Sequence, residues 1–312
     1  MIHLSDLRVD YDETCAVRDL SLDIGASEVC GLIGPNGAGK TTTMKAILGL
    51  LEPTYGGIEV AGIDVREHPR EAAQHVGFMP DNPPLYDDLL CWEFLDLFAA
   101  SYGVGRHERG EVVEHYLDMV GLTSKRSAPI TDLSRGMRQR LMLAKTLLPD
   151  PKILVLDEPA SGVDPQGRID LRNVLKDQAR AGKCVLISSH ILTEMTEFCT
   201  HMAIMERGRM VISGPIDKIR HDVMGGTTLV VELLGAEEIF QQLVASDPLA
   251  GAIHRNGEGK LPEFAFRYEG DLAQSSALLA RLVSGGVPIA SFARRKEGLE
   301  ELFLKIGARE LA

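Results

Sequence analysis

Apolar positions in the first two-thirds of the chain fall into two alternating kinds of run. Short continuous stretches occur in "SEVCGLIG", ending at Gly34, in "KILVLDEP", residues 152–159, and in "CVLISSH", residues 184–190. Each is closed by polar residues, the pattern of a strand buried on both faces. Between them "TTTMKAILGLL" and "PQGRIDLRNVLKDQARAG" carry apolar residues at helical spacing, the second stopped by Gly182. Buried strands joined by helices predict an α/β core built on a parallel sheet.

The stretch from about Pro84 to Leu148 lacks β-branched runs. "DDLLCWEFLDLFAASYG", "RGEVVEHYLDMVGL" and "SRGMRQRLMLAKTLL" read as three helices, a helical subdomain inserted into the core. After "GRMVISGP" the pattern changes again, with a hinge expected at Gly225-Gly226. Beyond it come strand "TTLVVELL", helix "AEEIFQQLVAS", strands at "GAIHRN" and "EFAFRYE", helix "LAQSSALLARLVSGG", strand "VPIASFA" and a last helix "LEELFLKIG". Strand-helix-strand twice over predicts a small α+β domain of split βαβ (ferredoxin-like) type. The expected domains are therefore residues 1–224 and 225–312, with the helical subdomain at about 84–148.

Composition narrows the function classes. Hydrophobic residues make up 45% and charged residues 25% of 312, the balance of an ordinary globular protein. The most apolar helix candidate is interrupted by Glu93 and Asp96, so no membrane span is expected. "MIHLSDLRVDY" lacks the basic-then-apolar order of a secretion signal. The five cysteines show no CxxC pair or framework spacing, and Cys30 and Cys184 sit inside strand runs, so reduced thiols in a cytosolic compartment are expected. A formal charge of −12 argues against broad nucleic-acid binding.

"GPNGAGKT", Gly34 to Thr41, matches the phosphate-binding loop pattern, in the strand-to-helix context that gives the motif its meaning. Gly34, Gly37 and Gly39 let backbone N–H groups face a polyphosphate, and the helix that follows adds its positive end. Lys40 then reaches the β- and γ-phosphates, while the Thr41 hydroxyl is placed to ligate Mg²⁺. Asp157, ending the strand "ILVL", would emerge at the carboxyl edge of the sheet, where it can hold the metal. Glu158 is the natural base or orienter for a water attacking the γ-phosphate.

"LSRGMRQRLMLAK", residues 133–145, is basic and free of acids inside an acidic chain. With "GPNGAGKTT", "LSRGM", "ILVLDEP", "SGVD" and "SSH" in this order, residues 1–217 resemble the ATP-binding cassette (ABC) ATPases. The resemblance implies a P-loop NTPase core of ABC type that binds ATP and Mg²⁺ through Gly34, Asn36, Gly37, Ala38, Gly39, Lys40, Thr41 and Thr42. It implies that Ser134 and Gly136, at a helix start, bind the γ-phosphate of ATP held by the other subunit. A hydroxyl, a backbone N–H and a helix dipole make an anion site. Arg138, Arg140 and Lys145 would add positive potential behind it. His190 matches the γ-phosphate switch, Asp164 the acidic residue of the interface loop, and Tyr11 the aromatic that stacks on adenine. Asp164 is also suited to cap a helix ahead of Pro165.

Three positions, in two motifs, depart from the family pattern. Arg135 and Met137 stand where Gly and Gln are usual in the signature, and Asp81, after "VGFMP", stands where the family has a glutamine. Asp81 is either a metal ligand or a turn residue beside "NPP". The resemblance implies the ATPase subunit of an exporter, working as a head-to-tail homodimer beneath a separate transmembrane permease, in the cytoplasm at the inner face of the membrane. The alternative is a soluble, non-transport cassette. A repair-type ATPase is excluded, because no heptad run lies between Lys40 and Asp157. The C-terminal domain reads either as a dimer-stabilising appendage or as a regulatory sensor.

Overall fold

The computed structural model describes residues 1–12, 14–82, 84–191, 195–223, 227–256 and 261–296. It divides into two compact units, Met1–Ile216 and Asp217–Ala312. The division falls ahead of the expected boundary at 224. The hinge expected at Gly225-Gly226 and the last helix expected at "LEELFLKIG" lie outside the described residues.

The first unit opens with strands β1 (Ile2–Tyr11), β2 (Thr14–Ile24) and β3 (Val29–Ile33), helix α1 (Lys40–Ile47), and strands β4 (Tyr55–Val60) and β5 (Ile63–Asp64). Helix α2 (Pro69–Ala73) and strand β6 (Val76–Met79) follow, then the helices α3 (Cys91–Ser101), α4 (Arg109–Met119) and α5 (Arg135–Leu147). Strand β7 (Ile153–Leu156), helix α6 (Pro165–Arg180) and strands β8 (Cys184–Ser189), β9 (His201–Glu206) and β10 (Arg209–Pro215) complete it.

A six-stranded sheet runs β10-β9-β3-β8-β7-β6, parallel throughout except where β10 turns back on β9. Its central strands β3, β7 and β8 are buried at every position, which is why they read as unbroken apolar runs. A second, antiparallel sheet, β2-β1-β4-β5, was not expected from the apolar pattern. Its strands are buried on one face, and the alternation along β1 and β2 is broken by bulges. Met44, Ala46 and Ile47 of α1 belong to one buried cluster with Leu4 and Val60 of the antiparallel sheet and Leu32 and Val155 of the parallel one. Met44 and Ile47 each contribute about 1.5–3 kcal/mol on burial, so the helix after the phosphate loop is fixed from both sides.

Helices α3, α4 and α5 occupy the stretch expected to be helical. Phe94, Leu95, Val113, Leu117, Leu141 and Leu143 are buried. Leu90 and Pro129 form an isolated bridge that closes the entry to α3.

Helix α7 (Ile216–Val223) leads to the second unit, β11 (Thr227–Leu233), α8 (Glu237–Ala245), β12 (Ala250–Asn256), β13 (Glu263–Tyr268), α9 (Leu272–Ser284) and β14 (Ile289–Lys296). Its antiparallel sheet has the order β12-β13-β11-β14, so the two βαβ halves interleave. Phe240 of α8, Phe264, Phe266 and Tyr268 of β13 and Leu278 and Leu282 of α9 form its own core. Asp271 accepts from Gln274 N and Gln274 Oε1 accepts from Asp271 N, a reciprocal cap on α9.

Candidate functional site

The loop between β3 and α1 is held tightly against its surroundings. A Cβ on Gly34 would lie 2.4 Å from the Met205 carbonyl oxygen and 2.9 Å from Ala38 Cβ. Gly39 has φ +100°, and a Cβ there would stand 2.6 Å from the Ala16 carbonyl oxygen. The Gly208 N–H donates to Ala38 O at 3.1 Å, so the turn between β9 and β10 clamps the loop. Lys40 is buried, and its Nζ donates to Gly34 O at 2.7 Å and Pro35 O at 3.2 Å. Burial pulls the Lys40 ammonium below its ordinary pKa, while Glu158 and Asp157 push it back up. A desolvated cation on a loop of this geometry favours an anionic ligand.

Across from the loop, Asp157 follows β7 at the carboxyl edge of the parallel sheet, and its N–H donates to Met79 O at 2.8 Å. The Thr41 hydroxyl donates to Asp157 Oδ2 at 2.8 Å, and the Ser188 hydroxyl donates to Oδ1. Ser188 Oγ also accepts from Glu158 N at 2.9 Å. Glu158 adopts a left-handed backbone, φ +48°, which costs a non-glycine residue about 1–2 kcal/mol. The bond to Ser188, and the donation of Ser161 N to Glu158 O at 3.0 Å, hold that turn in place. The carboxylate lies between His190, Nδ1 to Oε2 2.9 Å, and Lys40, Nζ to Oε1 3.9 Å.

Asn36 to Thr42 line a cavity of about 350 Å³ together with Ala16, Asp81, Asp157 and Glu158. A neighbouring cavity of about 190 Å³ shares Glu158 and is lined in part by Ser161, Gly162, Ser188 and His190. The loop, Asp81, Asp157, Glu158 and His190 thus form one continuous site. Neither cavity's lining includes Ser134, Gly136, Asp164 or Tyr11. Ser134 is exposed at the start of α5 and accepts from Met137 N at 3.3 Å. Gly136 is buried against Val163, whose Cα would be 3.3 Å from a Cβ at this position. Asp164 stands at the N-cap of α6 but its side chain makes no capping bond. Tyr11, 43% exposed, ends β1 in the hairpin whose second strand supplies Ala16.

The three cations expected to lend potential to the signature also make contacts within the helical subdomain. Arg138 pairs with Asp87 at 2.9 Å, Arg140 Nη1 donates to Val120 O at 3.3 Å at the end of α4, and Lys145 lies over the Phe98 ring. They tie α5 to the rest of the helical subdomain. Conversely, Ser188, Ser161, Arg135 and Gln139 contribute bonds that the motifs did not assign. For Ser188 the signal was its place two residues before His190 in "SSH". The others depend on tertiary contacts.

The site can hold a polyphosphate and present a carboxylate beside it. Residues 17–161 match the family model described as "ABC transporter". The chain is 32% identical to "Nod factor export ATP-binding protein I" of Cupriavidus metallidurans, over 100% of this chain and 98% of that one. The protein belongs to the ABC transporter ATP-binding proteins. A solved structure titled "Structure of ATP binding subunit of ABC transporter" aligns with a TM-score of 0.65 at 31% identity, covering 72% of this chain and 93% of that one. A dimeric ATP-binding cassette in a post-hydrolysis state with ADP and Pi aligns with a TM-score of 0.64 at 22% identity, covering 69% and 99%, which supports the fold. The core is therefore an ABC-type P-loop NTPase, and ATP is the family's nucleotide. Among the described residues, no helix is long and apolar enough to cross a membrane.

Proposed function

We propose that this ABC protein hydrolyses ATP at the site between the phosphate loop and β7, and that turnover powers export through a separate transmembrane permease. The convergence of Thr41, Asp157, Glu158 and His190 on the lysine-bearing loop carries the catalytic reading. The export reading leans on the export relative, whose similarity extends through the C-terminal unit. In this reading transport is preferred to a free-standing cassette, and the protein would work at the cytoplasmic face of the membrane.

In this reading Asn36, Gly37, Ala38, Gly39, Thr41 and Thr42 line the polyphosphate site with backbone N–H groups, and Lys40 supplies the compensating charge. Thr41 Oγ1 and Asp157 Oδ2, 2.8 Å apart, are hard oxygen donors that suit magnesium. The ion would neutralise charge on the phosphoryl oxygens. Glu158 takes the proton of the attacking water, and His190, bonded to its other side, orients the carboxylate and contacts the γ-phosphate. Ser134 and Gly136, outside their own chain's cavities, are assigned to the ATP of a second copy in a head-to-tail dimer, with Asp164 at the interface and Tyr11 on the adenine.

Glu158→Gln tests the assignment. The amide cannot take a proton, so kcat should fall at least about a hundredfold while ATP still binds. Dimers should accumulate with ATP in size-exclusion chromatography. Turnover within a few-fold of wild type would sink the catalytic role.

A further inference from the structure

The nucleotide cavity has an unusual charge balance. Asp81, Asp157 and Glu158 all line it, and Lys40 is the cation on its wall. Thr41 and Ser188 donate to Asp157, and Glu158 lies between His190 and Lys40. The charge facing Asp81 comes from the signature helix: Arg135 Nη2 lies 3.9 Å from Asp81 Oδ1.

We propose that Arg135 and Asp81 act as one charge-balancing unit of the ATP site, with Arg135 positioning Asp81 and the turn that follows Glu158. This inference rests on the reading of the cavity as an ATP site.

Three observations support it. Arg135 Nη2 donates to Ser161 Oγ at 2.8 Å, and Ser161 N in turn bonds Glu158 O, so the guanidinium joins the Asp81 loop to the catalytic turn. The arginine stem lies on Gly162, where φ is +71° and a Cβ would be 2.5 Å from Arg135 Cδ. Only glycine satisfies both that backbone and that seat. One helical turn on, buried Gln139 donates from Nε2 to Asp81 O at 3.0 Å. Residues four apart share a helix face, so α5 grips Asp81 at its carbonyl and faces its carboxylate with a cation.

Arg135 and Asp81 carry opposite charges, and Asp81 lines the nucleotide cavity. Both side chains are more than half exposed, so the ion pair itself adds little to stability. Its consequence is electrostatic: without Arg135, the Asp81 carboxylate faces an anionic nucleotide unopposed. A unit charge lost beside a multiply charged anion in high dielectric is worth a factor of about five in affinity.

The test is ATP affinity of the full chain, measured by calorimetry in magnesium-free buffer, where hydrolysis does not run. Arg135→Gln should raise Kd about fivefold, and Arg135→Lys should stay within about twofold of wild type. Arg135→Gln combined with Asp81→Asn should return to within about twofold, because the carboxylate that repelled ATP is gone. Asp81→Asn alone should tighten binding about fivefold, by leaving Arg135 unpaired. A purely structural bridge predicts otherwise: Arg135→Lys, which keeps the charge but loses the fork that bonds Ser161, would weaken binding as much as Arg135→Gln. Absence of rescue by Asp81→Asn, or a lysine variant as weak as the glutamine one, overturns the unit. Failure of the wild-type chain to bind ATP would instead overturn the nucleotide reading. Melting curves establish that each variant is folded.

Discussion

Ser188 is a small residue that makes two of the site's bonds. Its hydroxyl donates to Asp157 and accepts from Glu158 N, while the residue is fully buried. Ser188→Ala strands one buried acceptor and one backbone donor, a loss of about 1–3 kcal/mol. It also frees the left-handed turn at Glu158. The expected outcome is a melting temperature lower by several degrees and a kcat reduced more than the ATP Kd. An unchanged kcat would show that Glu158 is positioned without this serine. At this scale the sequence was informative for residues that sit within motifs, because phosphate and metal chemistry demand fixed residue types at fixed spacings. Arg135 and Asp81 were visible as departures from a pattern, yet their pairing was not. Residues so far apart in the chain meet only when α5 packs beside the loop after β6.

Among elements, the parallel strands were legible and the antiparallel ones were not. In β1 the buried residues Ile2 and Leu4 are followed by Leu7 and Val9, one step out of phase. The shift coincides with a register break between Leu4 and Leu7 and with φ +48° at Asp6. β2 repeats the device: Val17 is followed by Leu20, Leu22 and Ile24, with φ +52° at Asp19. A bulge shifts the period of two, so a search for strict alternation misses both strands. The phosphate loop gives the converse case, where spacing told more than periodicity. Its glycines are unequal, however. At Gly34 a methyl group would meet the Met205 backbone, whereas at Gly37, φ +83°, nothing lies within 4 Å. Gly37→Ala should cost about 1–2 kcal/mol of strain. Gly34→Ala must displace β9 or the loop, so a larger fall in melting temperature and a loss of ATP binding are expected. Equal melting shifts in the two variants would refute the close seating of the loop on β9.

At the scale of the whole molecule, the first unit contains every residue assigned to ATP, and yet they fall into two groups. Asn36 to Thr42, Asp81, Asp157 and Glu158 share one cavity, with His190 in the cavity beside it. Ser134 and Gly136 line neither, and Ser134 is exposed at the positive end of a 13-residue helix. Backbone donors at such an end favour an anion. If that anion is the γ-phosphate held by a second copy, each ATP site of a dimer takes its loop from one chain and its serine from the other. A Ser134→Arg chain alone, or a Lys40→Ala chain alone, then has two damaged sites per dimer. Mixed, the two chains give a heterodimer in which one site carries both defects and the other carries neither. Two inactive preparations should therefore regain activity when combined. If chains exchange randomly, half the dimers are mixed, and each has one intact site of two, so recovery approaches roughly a quarter of the wild-type rate if sites fire independently. Differently tagged chains, pulled down together, show whether mixed dimers form. Mixed dimers without ATPase would mean that loop and serine serve the same nucleotide within one chain, or that both sites must be intact for either to turn over. Photolabelling with an ATP analogue separates these two outcomes, because a single intact composite site still binds nucleotide even where it cannot hydrolyse it.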